Sequence, residues 1–492
     1  MENNTSTCAV IGAGIAGIAA AIRLANKGYK VTVFEANNYT GGKLTQIEKS
    51  GFRFDAGPSL FTMPHFVEEL FQLSGKDTKQ YFQYEKLDTV CHYFYEDGTV
   101  IRAYADKEKF AEEVAQKTTE NKETILHFLE KSAKKYALTA NLFLFSSLHK
   151  MGTYLTKETL KGVLGLPTLG VFKTMNRANE QTFKDERVTQ LFNRFATYNG
   201  SNPYETPATL NIIPHLEHNI GAFMPKGGMH SISQSLYKLA QDIGVRFVLN
   251  SPVEEIVVEK GKVKGVKVKG EFYPFQLIVS NMDVVGTYKR LLKQQKQPKK
   301  LLNQPKSSSA LIFYWGIRKQ FDQLATHNIF FSKDYKSEFE HIFQKKTIYE
   351  DPTVYINITS RYCPEDAPAG CDNWFTMINT PNNVGQNWEQ LIERARQSII
   401  EKLSRMLNTD VASLIACEEI LEPRTIESRT SSSLGALYGN SSNNRYAAFL
   451  RHANFSSKIK NLYFCGGSVH PGGGIPLCLS SAKIVGDLVP TA

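Results

Sequence analysis

The glycine pattern between Cys8 and Glu35 restricts the fold of this chain more than any other stretch. Cys8-Ala9-Val10-Ile11 is a short apolar run of the kind that forms a buried parallel strand. Gly12-Ala13-Gly14-Ile15-Ala16-Gly17 follows at once, and the Ala-rich segment from Ile15 to Lys27 predicts a helix that Gly28 can close. Lys30 to Phe34 predicts a second strand, ending at Glu35. In such a βαβ unit Gly12 permits the tight turn, Gly14 admits a pyrophosphate to the backbone, and Gly17 lets helix and strand pack closely. Ile15 and Ala16 open the helix, whose free N–H groups and dipole favour phosphate charge. Glu35 is placed to accept hydrogen bonds from a ribose diol, which argues against NADP. It does not separate NAD from FAD.

Later glycines favour flavin. Gly41-Gly42-Lys43 is a second glycine pair with a cation after it, and Gly57-Pro58-Ser59-Leu60 follows downstream. That arrangement suits a cofactor buried along its whole length. Near the other end, Asn461 to Cys465 predicts a short buried strand. The bare loop from Gly466 to Pro476 comes next, then a helix to Val489. Backbone with so few side chains lets a flat ring system lie directly on it. The new helix start can stabilise negative charge there.

These motifs resemble the flavoprotein superfamily of amine oxidases and carotenoid desaturases. Gly12, Gly14, Gly17, Glu35, Gly41, Gly42, Lys43 and Thr45 match its N-terminal signature. Lys43 stands where Arg is commoner, so the charge survives but the bidentate fork does not. Gly466, His470, Pro471, Gly472, Gly474, Ile475 and Pro476 narrow the resemblance to the bacterial-type phytoene desaturase group. Amine oxidases carry Glu after the corresponding first glycine and lack the proline pair. The loop from Phe54 to Pro64 looks most like the hydroxycarotenoid 3,4-desaturases. The likeness extends over nearly the whole chain, including Pro225-Lys226-Gly227-Gly228 and Ser280-Asn281-Met282-Asp283.

The resemblance implies an α/β fold: a Rossmann-type FAD-binding domain, an α+β substrate domain and a helical, membrane-facing cap. Residues 1–86, 225–290 and 455–492 would form the FAD domain. Residues 87–224 would form the substrate domain and cap, and 291–454 the rest of the substrate domain. Val253 is expected beside the adenine and Asn281 near the nucleotide end, with Gly467 in the ring-facing loop. The implied reaction is FAD-dependent desaturation of a C–C bond next to a polyene, with 1′-hydroxycarotenoid 3,4-desaturation leading and phytoene desaturation as the alternative. A redox-neutral carotenoid isomerase and a flavin-free prenyl-binding chaperone of the same fold are further readings. The intact Gly41-Gly42 pair and the Gly466 loop count against the chaperone.

Local patterns fill in the remainder. Thr89 to Tyr95 and Thr99 to Ala105 predict a hairpin turning at Asp97-Gly98. Lys107 to Lys135 predicts polar helix, and Val245 to Ser280 a β-meander with turns at Lys260-Gly261 and Lys269-Gly270. Strands over 310–317, 353–359 and 374–378 and an amphipathic helix over 388–406 complete the second domain.

The chain has 492 residues, a net charge of +10 and seven cysteines without a CxxC pair. The expectation is a reducing compartment with no disulfide framework and no metal site. The start lacks the basic and apolar regions of a signal peptide. No run approaches the roughly 18 apolar residues of a spanning helix. Lys289 to Lys306 holds seven Lys/Arg and no acid; without a groove-reading or stacking motif it does not indicate nucleic acid. A solvated surface or attraction to anionic lipid accounts for it.

Leu138 to Leu148 and Leu160 to Met175 are apolar, with Lys150, Lys157, Lys161, Lys173 and Arg177 interleaved. They read as core helices of a cap, with an interfacial docking surface among them. The chemistry supports docking. At about 0.8 kcal/mol per CH₂, a C40 carotenoid would lose on the order of tens of kcal/mol by crossing water. The expectation is therefore a cytoplasmic protein peripherally associated with the inner membrane, with quinone or oxygen as electron acceptor. Candidates for taking up a proton are Glu158 and Lys161, which share a helix face, together with Arg194 and His470.

Overall fold

The computed structural model describes residues 6–155, 169–444 and 446–492. Its first sheet has five parallel strands in the order Leu462–Phe464, Leu277–Ser280, Thr7–Ile11, Lys30–Phe34, Arg246–Val248. Helices Ile15–Ala25, His65–Leu73, His230–Asp242 and Ile475–Leu488 share one apolar core with this sheet. The Ala-rich first helix can lie very close to its strand. A Cβ on Gly17 would collide with the Gly12 carbonyl oxygen, so the third glycine is needed for that approach.

Another apolar core joins the parallel sheet to a three-stranded antiparallel sheet, Val253–Glu259, Lys262–Val268 and Glu271–Pro274. The turns expected at Lys260-Gly261 and Lys269-Gly270 are there, with positive φ at all four residues. The single meander expected over Val245 to Ser280 is not. Its outer strands, Arg246–Val248 and Leu277–Ser280, belong to the parallel sheet. Leu277–Ser280 is buried at every position, so it needs cover on both faces, whereas most of Val253–Glu259 is only partly covered.

A mixed sheet, parallel only between His327–Phe330 and Thr89–Phe94, has seven strands in the order Ile415–Leu421, Ser309–Ile317, Asp372–Thr380, Val354–Ile358, His327–Phe330, Thr89–Phe94, Val100–Tyr104. The last two form the expected hairpin. Ser309–Ile317 is buried throughout because both its faces are covered. Leu311, Phe313 and Trp315 pack with Ala395, Ile399 and Leu403 of the helix Trp388–Leu407. Ala310, Ile312 and Tyr314 point the other way, toward Phe52 and Phe54, as the two-residue period of a strand dictates.

Helices Lys107–Lys117, Lys122–Phe143 and Glu186–Asn193 pack around Tyr93, Tyr95 and Ile101. The polar helix expected from Lys107 to Lys135 is divided after Lys117. Asn121 starts the second part by accepting a hydrogen bond from the Thr124 N–H. The α/β class is the one expected. Among the described residues, no helix is long and apolar enough to cross a membrane.

Candidate active site

Four parallel strands end at one cavity. Gly12 follows Ile11, Glu35 follows Phe34, Asn281 follows Ser280, and Gly466 lies two residues past Phe464; all four line it. Open α/β sheets bind ligands at these carboxyl ends. The cavity measures about 1450 Å³, above the roughly 300–1,000 Å³ of a typical small-molecule pocket. It extends from Val253 on the parallel-sheet side to Ile312, Tyr355 and Phe375 of the mixed sheet. A cofactor and a second molecule can share it.

The parallel-sheet side offers groups that suit phosphate and ribose. Gly14 and Gly474 precede the helices Ile15–Ala25 and Ile475–Leu488, and neither helix start has a side-chain cap. Their first N–H groups are available to an anion. Gly41 and Gly42 have φ of +102° and +61° and fold the chain back over Gly14. A Cβ on Gly42 would stand 3.2 Å from the Gly14 Cα. Glu35 is buried, and its Oε2 accepts the Ala13 N–H at 2.7 Å. Its Oε1 accepts the backbone and side-chain N–H groups of Asn37, both at 2.9 Å. The carboxylate is thus fixed at the cavity wall, where a diol could reach it.

Asn281 lies among four glycines, Gly12, Gly14, Gly17 and Gly466. Its Nδ2 is 3.4 Å from the Gly12 carbonyl, and a Cβ on Gly466 would stand 2.8 Å from its Oδ1. Ile15, Ala16, Gly57, Pro58, Ser59, Leu60, Gly467, Ile475 and Pro476 also line the cavity, while Gly17 lies behind it at the helix–strand contact. Lys43 lines the cavity as well. Its Nζ donates to the carbonyls of Leu437 at 3.0 Å and Ala436 at 3.4 Å. Burial lowers its pKa, opposed by the Asp283 charge. The ammonium ties the second glycine pair to the segment beside the Gly466 loop.

Of the proton-accepting candidates, Glu158 and Lys161 lie outside the described residues. His470 is buried, away from the cavity lining, with Nε2 2.9 Å from the Ser146 carbonyl. Burial lowers its pKa to about 4, and it anchors the loop to Ser146. Arg194 lines the cavity. Its Nη2 donates to the Tyr93 hydroxyl at 2.8 Å and to Glu217 Oε2 at 3.0 Å. Burial works against the Arg194 charge, but Glu217, Tyr93 and Cys91 together outweigh it and raise the pKa. A guanidinium so held does not take up a proton.

Glu217, His327 and Tyr355 are further polar groups on the mixed-sheet side, and sequence reasoning missed all three. Tyr355 shares hydrogen bonds with Ser59 Oγ at 2.8 Å and His327 Nδ1 at 2.7 Å. No motif or local spacing links Ser59, Arg194, Glu217, His327 and Tyr355. The alternation of strand Val354–Ile358, with Tyr355 between more deeply buried neighbours, is the one faint signal.

The model of the flavin-containing amine oxidoreductases matches residues 15–489. The chain belongs to this family. It is 55% identical to the 1-hydroxycarotenoid 3,4-desaturase of Flavobacterium sp. (strain P99-3), covering 98% of each chain. It is 30% identical to the phytoene desaturase of Fusarium fujikuroi over 99% of this chain and 90% of that one. Among solved structures, a putrescine oxidase variant aligns with a TM-score of 0.65 at 14% identity, covering 98% of each chain. Cyclohexylamine oxidase from Brevibacterium oxydans IH-35A aligns at 0.62 and 15% identity, again covering 98% of each. These two share the fold.

The chain is an FAD-dependent oxidoreductase, and its cavity fits that cofactor. Two uncapped helix starts, a glycine cradle closed on Gly14 and a fixed carboxylate are the complementary groups for pyrophosphate and ribose. Gly12, Gly14, Gly41 and Gly42 would take the phosphates, Glu35 the ribose, and the Gly466–Pro476 loop the ring.

Proposed function

We propose that this flavoprotein is a carotenoid 3,4-desaturase acting on an acyclic polyene that carries a hydroxyl group at one end. The observation that carries the reading is the 55% identity over 98% of both chains to a 1-hydroxycarotenoid 3,4-desaturase. The phytoene desaturase likeness is weaker, at 30%.

When bound, FAD supplies the hydride acceptor for the oxidation. Desaturation removes two hydrogens from adjacent carbons, one as hydride and one as a proton, and a C=C bond forms between them. The chain's own contribution is placement and exclusion of water. Ile312, Ile329, Phe375 and Met377 give the cavity an apolar wall on which a polyene can lie. The pairing of Lys43 with Ala436 and Leu437 holds that wall against the glycine loops.

Passage of so apolar a substrate favours delivery from a bilayer. Met151 and Phe172 are 79% and 86% exposed, with Lys150 and Lys173 beside them in sequence. Large exposed apolar groups next to lysines suit an interfacial contact with anionic lipid.

The test is to incubate purified flavoprotein with a hydroxylated acyclic carotenoid in liposomes. The expected product has lost two hydrogens and absorbs at longer wavelength. A protein with full flavin content that leaves this substrate unchanged would refute the reading. Turnover in air, compared with turnover under anaerobic conditions with added quinone, separates oxygen from quinone as acceptor.

A further inference from the structure

A pocket that served hydrocarbon alone would have no use for buried, unpaired donors, yet this cavity has one in its wall. His327 is 2% exposed and lines the cavity. Its Nδ1 lies 3.2 Å from Asn357 Nδ2, and that amide is oriented by its own hydrogen bond to the Thr326 carbonyl at 3.0 Å. The Tyr355 hydroxyl, 2.7 Å from the same Nδ1, can donate or accept, whereas the amide nitrogen can only donate, so Nδ1 accepts. Burial, with the Arg194 charge adding to it, lowers the His327 pKa to about 3, so the ring is neutral. A neutral imidazole that accepts at Nδ1 carries its hydrogen on Nε2. Among the described residues, no partner reaches that Nε2.

The surroundings are polar in the same region. The Arg194–Glu217 pair and Tyr198 line the same cavity, and the Tyr198 hydroxyl is also without a partner. Burying an ion pair is unfavourable unless its remaining hydrogen-bonding capacity is used. An unsatisfied buried N–H carries a similar penalty. A ligand oxygen at this end would answer to both.

We propose that His327 reads the oxygen-bearing end of the substrate, its Nε2–H donating to the hydroxyl oxygen in the cavity that the Arg194–Glu217 pair also lines. The inference rests on the desaturase reading above and adds the residue that sets end-group preference. Binding in this register places one end of the polyene at the polar pocket and fixes which carbons lie further along the cavity. A chain lacking the hydroxyl would leave the imidazole N–H unpaired and be disfavoured.

The experiment compares kcat/KM for a 1-hydroxylated acyclic carotenoid with that for the same polyene lacking the hydroxyl. It is run in liposomes, with the wild type and with His327→Phe. Phe keeps a ring to stack on Tyr355 and removes the donor. The wild type should prefer the hydroxylated substrate, and His327→Phe should cut that preference by about 10- to 100-fold with flavin content maintained. His327→Gln, which retains an N–H donor, should keep more of the preference than Phe. If His327→Phe does not accumulate, His327→Leu, smaller than the native ring, replaces it in the same comparison. A wild type that desaturates neither polyene would refute the desaturase reading and this inference with it. A wild type with the preference, and a variant that keeps it undiminished, would overturn the role of His327 alone.

Discussion

A methyl group on Gly14 would stand 2.7 Å from the side-chain nitrogen of Asn281. The second glycine of the βαβ turn is therefore required by a neighbour on another strand as well as by any phosphate in front of it. Gly14→Ala is expected to reduce flavin retention, because the displaced Asn281 amide must move within the cofactor cavity. Adding Asn281→Ala should restore part of that retention by making room. Flavin absorbance per protein after gel filtration checks both variants. If the double variant recovers nothing, the new methyl meets the cofactor itself. Gly17→Ala offers the contrast, since its Cβ would meet the Gly12 backbone carbonyl, which cannot rotate away. It should cost about 3 kcal/mol of stability, the upper end for overpacking, and the Asn281→Ala change should not rescue it.

Asp55 should matter to stability more than its neighbours in sequence suggest. Its buried carboxylate accepts the backbone N–H groups of Met229 at 2.7 Å and His230 at 3.1 Å, at the start of helix His230–Asp242. It also accepts from Arg53 at 2.8 Å. Asp55→Ala would leave two helix N–H groups and part of a half-buried guanidinium without a partner. The expected loss is about 3–5 kcal/mol, read as a lower midpoint in urea unfolding. Asp55→Asn should lose less, because its oxygen can still accept. Equal stability of all three proteins would show that the helix start is satisfied otherwise.

Part of this architecture is legible in the chain and part is not. The turn at Gly12, the strand ending at Glu35 and the helix after Gly474 rest on local rules that operate within about thirty residues. They can be read one segment at a time. The partition of Val245 to Ser280 between two sheets depends on what covers each strand, and Leu277–Ser280 differs from its neighbours only in having both faces occupied. The Lys43 contact to Leu437 spans 394 positions, so sequence shows the charge but not its destination. The polar end of the cavity was the least accessible. Arg194, Glu217, His327 and Tyr355 line one cavity only because two strands of one sheet and two short helical turns converge there.

Stability should depend on pH through Glu338. This side chain is buried and accepts a hydrogen bond from Thr353 Oγ1 at 2.7 Å. Burial raises its pKa to about 7, opposed by the Thr353 hydrogen bond and the Lys402 charge. A carboxyl with a folded pKa above its unfolded value binds more protons when folded. Its contribution is thus complete below the ordinary carboxyl range and is lost as pH rises through about 7. The loss is on the order of 3 kcal/mol. The Tm of the wild type should fall between pH 5 and 8 more steeply than that of Glu338→Gln, whose amide does not titrate. Parallel Tm profiles would contradict the assignment.

Met151 and Phe172 are the most exposed large apolar side chains among the described residues, at 79% and 86%. If they enter a bilayer surface, Met151→Ser with Phe172→Ser should weaken sedimentation with anionic liposomes. Full burial of one such side chain contributes about 1.5–3 kcal/mol. Partial insertion of two should therefore change the partition coefficient by roughly ten-fold or more. Phe272, 49% exposed on the antiparallel sheet, supplies the control. Phe272→Ser removes a comparable apolar group from a different surface and should pellet like the wild type. Raised salt should lower binding of the wild type as well, because the lysine attraction to anionic headgroups is screened. Equal loss from Phe272→Ser and the double variant would point to non-specific adsorption. Unchanged pelleting of the double variant would exclude this face as the contact.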